Sequence, residues 1–121
     1  IPMIRERERL CREAGDTKAL TECLGDAVKA FSASRKIEEA LTACEEQAVL
    51  SRRIGDHESL ARALFNKATL LLVRNPREAA RALPLADEAL QIAVAHGLGD
   101  LVSELRGGIQ TIRRAIGYPA F

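Results

Sequence analysis

The sequence predicts an all-α protein, and composition and periodicity are the two observations behind that prediction. Of the 121 residues, 20 are alanine and 16 are leucine, whereas aromatic residues make up 3%. Alanine and leucine favour helices, whereas strands favour β-branched and aromatic residues. In residues 19–31 and 60–72, apolar side chains recur at the i, i+3, i+4, i+7 spacing that places them on one face of a helix.

Three glycine–aspartate pairs mark predicted turns between helices. The tripeptides AGD, IGD and LGD lie at residues 14–16, 54–56 and 98–100, each after an apolar helical stretch. Glycine can adopt the left-handed conformation that ends a helix, and the aspartate after it can cap the next helix by accepting a backbone N–H bond. The tripeptides are 40 and 44 residues apart, so we expect a pair of helices in each interval.

Each interval also contains a second break. Ser34 is the expected N-cap after the first break, and Asn75 after the second, with Pro76 in the first helical turn where its missing N–H is harmless. We expect Gly25 inside a helix, and Pro84 to kink or split the fifth helix or to add an extra turn to it. The predicted helices span residues 2–13, 16–32, 35–53, 57–74, 76–96 and 100–116.

Charge and cysteine content restrict the class of protein. The chain has 18 basic and 17 acidic residues and a net charge of +1, which argues against a strongly basic nucleic-acid-binding domain. The basic cluster of Arg106, Arg113 and Arg114 has no interleaved aromatic residues, so we expect no direct nucleic-acid binding. Three cysteines without a CxxC motif favour a reduced, cytoplasmic setting, and the sequence has no apolar run long enough for a membrane span.

No motif for catalysis or cofactor binding is present in the sequence. His57 and His96 are its two histidines; HExxH is absent, and no histidine or cysteine lies at metal-ligand spacing. The GxSxG nucleophile motif and the glycine-rich phosphate loops are also missing. We therefore expect a protein that is not an enzyme, with no catalytic residue, no metal and no other cofactor.

The helix pairs match a known repeat pattern. In this pattern each repeat has two helices. The start of the second helix is matched by KIEEAL at 36–41, with Ala40 at the close helix crossing, and less closely by PREAA at 76–80. The end of the second helix is matched by EEQAVLSRRIGD at 45–56. Its first-helix positions are matched by Leu24, Ala27, Val28 and Phe31 in the first pair and by Leu64, Asn66, Ala68 and Leu71 in the second. On these residues the chain resembles the tetratricopeptide repeat family, in the variant with lengthened helices joined by Gly-Asp turns.

The resemblance implies a single domain over residues 1–121, in which antiparallel helix pairs stack as a short right-handed α-solenoid. The pairs span 16–53 and 57–96, between half-pairs at 2–13 and 100–116. Such pairs bury their apolar faces by stacking, so the ends of a short array would expose apolar surface through which copies of the chain could associate. A helical bundle without repeats is the alternative architecture.

In proteins that this chain resembles, the first helices of successive pairs line a concave groove. Carrying the groove positions over, with an offset of 44 residues to the last helix, gives as partner-binding candidates Lys29, Arg62, Phe65, Asn66, Thr69, Arg106, Ile109, Gln110 and Arg113. Arginine binds carboxylates with paired hydrogen bonds, so this surface would suit a protein or peptide with an acidic group. The alternative is that these arginines form a solvated face or contact a further repeat of a longer parent protein.

The resemblance therefore implies a non-catalytic scaffold that binds a peptide or partner segment in a groove. A second hypothesis is a regulatory or sensor segment of a larger signalling or transcription-regulator protein, whose groove binds a small ligand or an intramolecular partner. The first residue is not methionine, which fits an excised piece of a longer protein under either hypothesis.

Overall fold

Helices and short turns account for the whole described part of the chain, which confirms the all-α prediction. The computed structural model describes residues 2–115 and residue 117; residue 116, the predicted end of the last helix, lies outside this part, as do residue 1 and residues 118–121. None of the described helices is both long enough and apolar enough to cross a membrane. The helices are α1 (Pro2–Ala14), α2 (Thr17–Ala33), α3 (Ile37–Ile54), α4 (His57–Arg74), α5 (Ala79–Ala95) and α6 (Gly99–Ala115), with a 3-10 turn at Pro76–Glu78 before α5.

The first two Gly-Asp turns have the predicted geometry. Gly15 and Gly55 adopt left-handed conformations, with φ of 69° and 72°. The side chain of Asp16 accepts a hydrogen bond from the Ala19 N–H at 3.1 Å, and that of Asp56 accepts one from the Ser59 N–H at 3.1 Å. Each turn therefore ends one helix and caps the next, as the sequence indicates.

The third turn differs from the prediction by two residues. Gly97, and not Gly99, adopts the left-handed conformation, with φ of 67°. Gly99 is the first residue of α6, and Asp100 lies in its first turn instead of capping it. The turn at Gly97 leaves Leu98 half-buried against the core between α4, α5 and α6, which favours this register over one centred on Gly99.

The turn between α2 and α3 forms without glycine, and the predicted N-cap is wrong. Ser34 lies at the C-terminal end of α2, and Lys36 occupies the N-cap position of α3 without a side-chain cap bond. Arg35 adopts the left-handed conformation, with φ of 59°. The left-handed residues at 15, 35 and 55 are thus spaced by 20 residues, which sets the length of each helix and turn.

Asn75 and Pro76 begin a short 3-10 turn where the sequence predicts the start of an α-helix. The Asn75 side chain accepts from the Arg77 N–H at 3.0 Å, so its capping role is confirmed. The extra turn lies here, at Pro76–Glu78, and α5 continues unbroken through Pro84. Pro84 and Ala80 are both exposed, so water can satisfy the Ala80 carbonyl that loses its helical donor.

Each helix packs against the next one along the chain, and the even-numbered helices also contact each other. The backbones of α2 and α4, and of α4 and α6, approach within 8 Å between Cα atoms. Small buried residues such as Ala61 and Ala68, both 0% exposed, allow α4 to lie this close to its neighbours. Gly25 lies inside α2 as predicted, where a Cβ would come within 3.0 Å of Gln47 Nε2.

The odd-numbered helices are joined by exposed ion pairs that recur along the chain. Arg12 of α1 contacts Glu46 of α3 at 2.7 Å, and Arg52 of α3 contacts Glu88 of α5 at 3.0 Å. The arginines are 40 residues apart and the glutamates 42, close to the spacing of the helix pairs. Exposed ion pairs add little stability, about 0–1 kcal/mol each, so their value here is as a marker of similar helix placement.

Candidate functional site

The helices α2, α4 and α6 place one continuous set of side chains on the same face of the molecule. The helix α4 lies between the other two, and its buried stripe of Leu60, Leu64 and Leu71 packs against the neighbouring helices. Next to that stripe, Phe65 and Asn66 are half-buried, and Arg62 and Thr69 are exposed. This face therefore contains the best candidate for a binding surface, and two cavities open on it.

The first cavity, of about 420 Å³, lies between α2, α4 and the start of α3. One group of its lining residues is apolar: Val28, Ile37, Leu70 and Val73. The other group is polar: Lys29, Ser32, Asn66 and Thr69. Val73 is 60% exposed, so an apolar side chain that entered this cavity would cover surface that now faces water.

The second cavity, of about 310 Å³, lies between α2, α4 and α6. Phe65, Leu101 and Leu105 supply apolar contacts, and Arg62 and Glu104 supply charges. Lys29 and Asn66 line both cavities, which are therefore neighbours. We refer to the two cavities together as the α2/α4/α6 groove.

Close contact between α4 and α6 shapes the second cavity. A Cβ on Gly108 would come within 2.3 Å of the Phe65 ring at Cζ, so the ring occupies the space that any larger residue at 108 would fill. The absence of a side chain at Gly108 thus allows Phe65 to lie half-buried between the two helices while it lines the cavity.

The charges in the groove are partly neutralised. Arg62 contacts Glu104 of α6 at 3.3 Å and Glu58 of its own helix at 3.3 Å. Among the described residues, the lysines that form ion pairs are Lys18 and Lys67, so the ammonium group of Lys29 is left for a ligand. The groove therefore presents one positive charge at the junction of its two cavities.

Asn66 lies beside that charge without a side-chain hydrogen bond in the described part of the protein. It is half-buried and lines both cavities. A carboxamide has two N–H donors and an acceptor oxygen, so it can bind the N–H and C=O of a peptide backbone at once. Lys29 and Asn66 together offer hydrogen bonds and a charge, whereas the groove lining contains no histidine, no cysteine and no pair of carboxylates.

The structure brings five of the nine predicted partner-binding residues together. Lys29, Arg62, Phe65, Asn66 and Thr69 all line the groove. Sequence reasoning missed the apolar residues Val28, Ile37 and Leu70, because their helical spacing is that of ordinary core residues.

The four predicted positions on α6 lie elsewhere. Ile109 is 5% exposed and belongs to the core, out of reach of a partner. Arg106 is two residues after Glu104, which rotates it by about 200° away from the groove. Gln110 and Arg113 follow Arg106 at helical spacing and share its face, and Arg113 contacts Asp87 of α5 at 3.8 Å.

The turn at Gly97 explains this misplacement. The spacing from Gly55 to Gly97 is 42 residues, not the 44 that the Gly-Asp tripeptides predict. With that spacing, Glu104 is the counterpart of Arg62, and it is Glu104 that lines the second cavity. The groove therefore lacks the arginines that were predicted for it on α6, because Arg106 and Arg113 lie outside it.

Comparison of the chain with protein-family models, with curated proteins and with solved structures found no match.

Proposed function

We propose that this protein is a non-catalytic interaction module, similar to tetratricopeptide repeats, that binds an extended segment of a partner protein in the α2/α4/α6 groove. The observation that carries the proposal is the pair of adjacent cavities that share Lys29 and Asn66. An apolar side chain of the ligand fits the first cavity, where four apolar residues are within reach. Its backbone reaches Asn66, and a carboxylate on it reaches Lys29.

The repeat architecture belongs to the same proposal: α2–α3 and α4–α5 form two pairs, stacked as a short right-handed solenoid, with α1 and α6 as half-pairs. Three observations support it. The caps at Asp16 and Asp56 make the same bond, the Arg12–Glu46 and Arg52–Glu88 contacts recur between equivalent helices, and the even-numbered helices lie side by side. A bundle without repeats has no reason to reproduce these features at this spacing.

A cytoplasmic location is also part of the proposal. All three cysteines are free, and a reduced compartment maintains thiols in that state. Self-association through the α6 end has less support, because the exposed residues of α6 include Ser103, Arg106, Gln110 and Arg114, which are polar. The interaction surface that we propose is therefore the groove and not the α6 end.

A selection of displayed random peptides tests this function. Peptides enriched on the immobilised protein are synthesised, and their affinity is measured by fluorescence anisotropy for the wild type and for Lys29→Glu. We expect enriched peptides with an acidic residue near an aliphatic one, and an affinity about tenfold or more lower for Lys29→Glu, since a hydrogen bond to a charged group is lost.

Arg53→Glu is the matched control, because it makes the same charge reversal at an exposed residue of α3 outside the groove. Its peptide affinity should equal that of the wild type. Equal binding to the Lys29→Glu variant, or a selection that enriches no peptide, would refute the proposal.

The second hypothesis is a sensor that binds a small ligand in the same groove. A small molecule that binds the wild type but not the Lys29→Glu variant would support it. Both cavity volumes lie within the range of small-molecule sites.

A further inference from the structure

The two histidines of the chain, 39 residues apart in the sequence, stack face to face. His57 is the first residue of α4, and His96 directly follows the last residue of α5. The two helices are antiparallel neighbours, so the start of one lies beside the end of the other. The ring centroids are 3.4 Å apart, and the ring planes differ by 8°.

The histidine pair lines a third cavity, of about 580 Å³, away from the α2/α4/α6 groove. This cavity opens where the α3–α4 and α5–α6 turns meet the start of α2. Its charged residues are Asp56, Glu58 and Lys18, with Lys18 Nζ 3.7 Å from Asp56 Oδ2. The carboxylates outnumber the ammonium group, so the surroundings favour a cation over an anion.

We propose that His57 and His96 bind a divalent transition-metal ion such as Zn²⁺ through one nitrogen from each ring. Imidazole suits Zn²⁺, Cu²⁺ and Ni²⁺, whereas Mg²⁺ and Ca²⁺ prefer oxygen ligands. A tetrahedral Zn²⁺ with Zn–N bonds of about 2.0–2.1 Å holds its two nitrogens about 3.3 Å apart. The ring centroids are 3.4 Å apart, so one nitrogen of each ring can reach this separation when the rings turn.

Binding requires the two rings to turn so that their nitrogen lone pairs converge, because lone pairs in parallel rings do not meet at one point. Both side chains are exposed, so this rotation disturbs no core contact. In the part of the chain that the structure describes, no group of three or more histidine, cysteine, aspartate or glutamate residues is placed to hold a metal. The ion would therefore have two protein ligands, and water would complete its coordination.

The metal would join the start of α4 to the end of α5. This connection would hold together two helix ends that lie on either side of the 3-10 turn at Pro76–Glu78 in the sequence. The site is independent of the proposed peptide groove, since the two share no lining residue.

Titration calorimetry with ZnCl₂ on the intact chain tests the proposal. We expect one Zn²⁺ per chain for the wild type, and an affinity reduced about tenfold or more in His57→Asn and in His96→Asn, each of which removes one of two ligands and keeps a polar side chain. Imidazole proton NMR gives a direct readout, because the wild type has two histidines and both should shift together as Zn²⁺ is added.

Cys11→Ser is the control for binding through a thiol. Burial raises the pKa of the Cys44 thiol to about 12 and also raises that of Cys23, so neither supplies a thiolate near neutral pH. Cys11 is half-buried and is the remaining soft ligand, and its replacement should leave the Zn²⁺ affinity unchanged. Circular dichroism of each variant verifies that the helices are retained.

Two results would overturn the proposal. One is the absence of stoichiometric binding at millimolar ZnCl₂. The other is binding that persists in both histidine variants, which would locate the ion elsewhere. If an asparagine variant does not fold, the simultaneous shift of both histidine signals in the wild type decides the question, because a metal at another site would not move them together.

Discussion

The side chain of Asp56 makes more interactions than that of its counterpart, Asp16. Both cap a helix with the same backbone bond, but Asp56 also accepts from the Ser59 hydroxyl at 2.9 Å and lies near Lys18. Burial by itself would raise the pKa of Asp56, but the Ser59 bonds and the Lys18 charge outweigh it, and the net pKa is below the ordinary value of 3.8. The charged carboxylate is therefore the form that the folded protein favours.

Asp56→Ala should lower the free energy of unfolding by about 0.5–2 kcal/mol at neutral pH, since the N-cap bond is lost. Because the folded pKa is lowered, this contribution is complete above about pH 5 and disappears as pH falls through the ordinary value and then the folded one. Urea unfolding at pH 7 and at about pH 2 should thus show a difference from wild type at the higher pH and a smaller one at the lower.

Asp100→Ala is the comparison for that experiment. The sequence suggests the same capping role for Asp100, whereas the structure places it inside the first turn of α6. Its replacement should cost less than that of Asp56. An equal loss for the two variants would contradict the position of the third turn at Gly97.

At the scale of helices, the contact between α4 and α6 depends on one of two adjacent glycines. A Cβ on Gly108 would meet the Phe65 ring, whereas a Cβ on Gly107 has no heavy atom within 4 Å. Both glycines lie inside α6, where alanine is favoured over glycine by about 1 kcal/mol. Substitutions at Gly107 and Gly108 therefore distinguish the effect of helix propensity on stability from the effect of the contact between α4 and α6.

Gly107→Ala should raise the free energy of unfolding by about 0.5–1 kcal/mol, and Gly108→Ala should fail to gain this because Phe65 must move. Thermal unfolding of both variants measures the difference. A Phe65→Leu substitution added to Gly108→Ala should restore the gain, since the smaller side chain leaves room for the new Cβ. Equal stabilisation by the two single substitutions would show that α6 does not lie against Phe65.

At the scale of the whole molecule, α4 connects most of the core. It contacts α3 and α5 along its length and also α2 and α6. Ala68 is fully buried on it, whereas the adjacent Thr69 is exposed in the groove. Substitutions at these two adjacent residues therefore test which face of α4 is buried.

Ala68→Arg should destabilise the protein by more than about 3 kcal/mol, because it introduces a long charged side chain where helices meet. Thr69→Arg introduces the same side chain at an exposed position and should change the free energy of unfolding by less than about 0.5 kcal/mol. Chemical denaturation followed by circular dichroism distinguishes the two. Similar stability of both variants would mean that α4 is rotated from the position described.

The sequence by itself determined the all-α class, the six helices and the first two Gly-Asp turns. These features depend on local signals: helical spacing of apolar residues, glycine in a left-handed conformation and aspartate at an N-cap. The resemblance to tetratricopeptide repeats placed five residues on one face, and they line the groove: Lys29, Arg62, Phe65, Asn66 and Thr69. The offset of 40 residues between α2 and α4 holds because both helices follow a capped turn of the same kind.

Only the tertiary structure decided which face α6 turns to its neighbours. Gly97 and Gly99 can both adopt the left-handed conformation, so local chemistry does not choose between them. Burial of Leu98 against the core favours Gly97, and a shift of two residues rotates the helix by about 200°. Ile109 therefore lies in the core, and Arg106 lies away from the groove.

The histidine pair depends in the same way on the tertiary structure. A separation of 39 residues carries no local signal, and His57 and His96 meet only because α4 and α5 pack antiparallel with their ends aligned. Local interactions thus define the helices and their caps, whereas the proposed binding sites arise where residues distant in sequence are brought together by burial of the apolar helix faces.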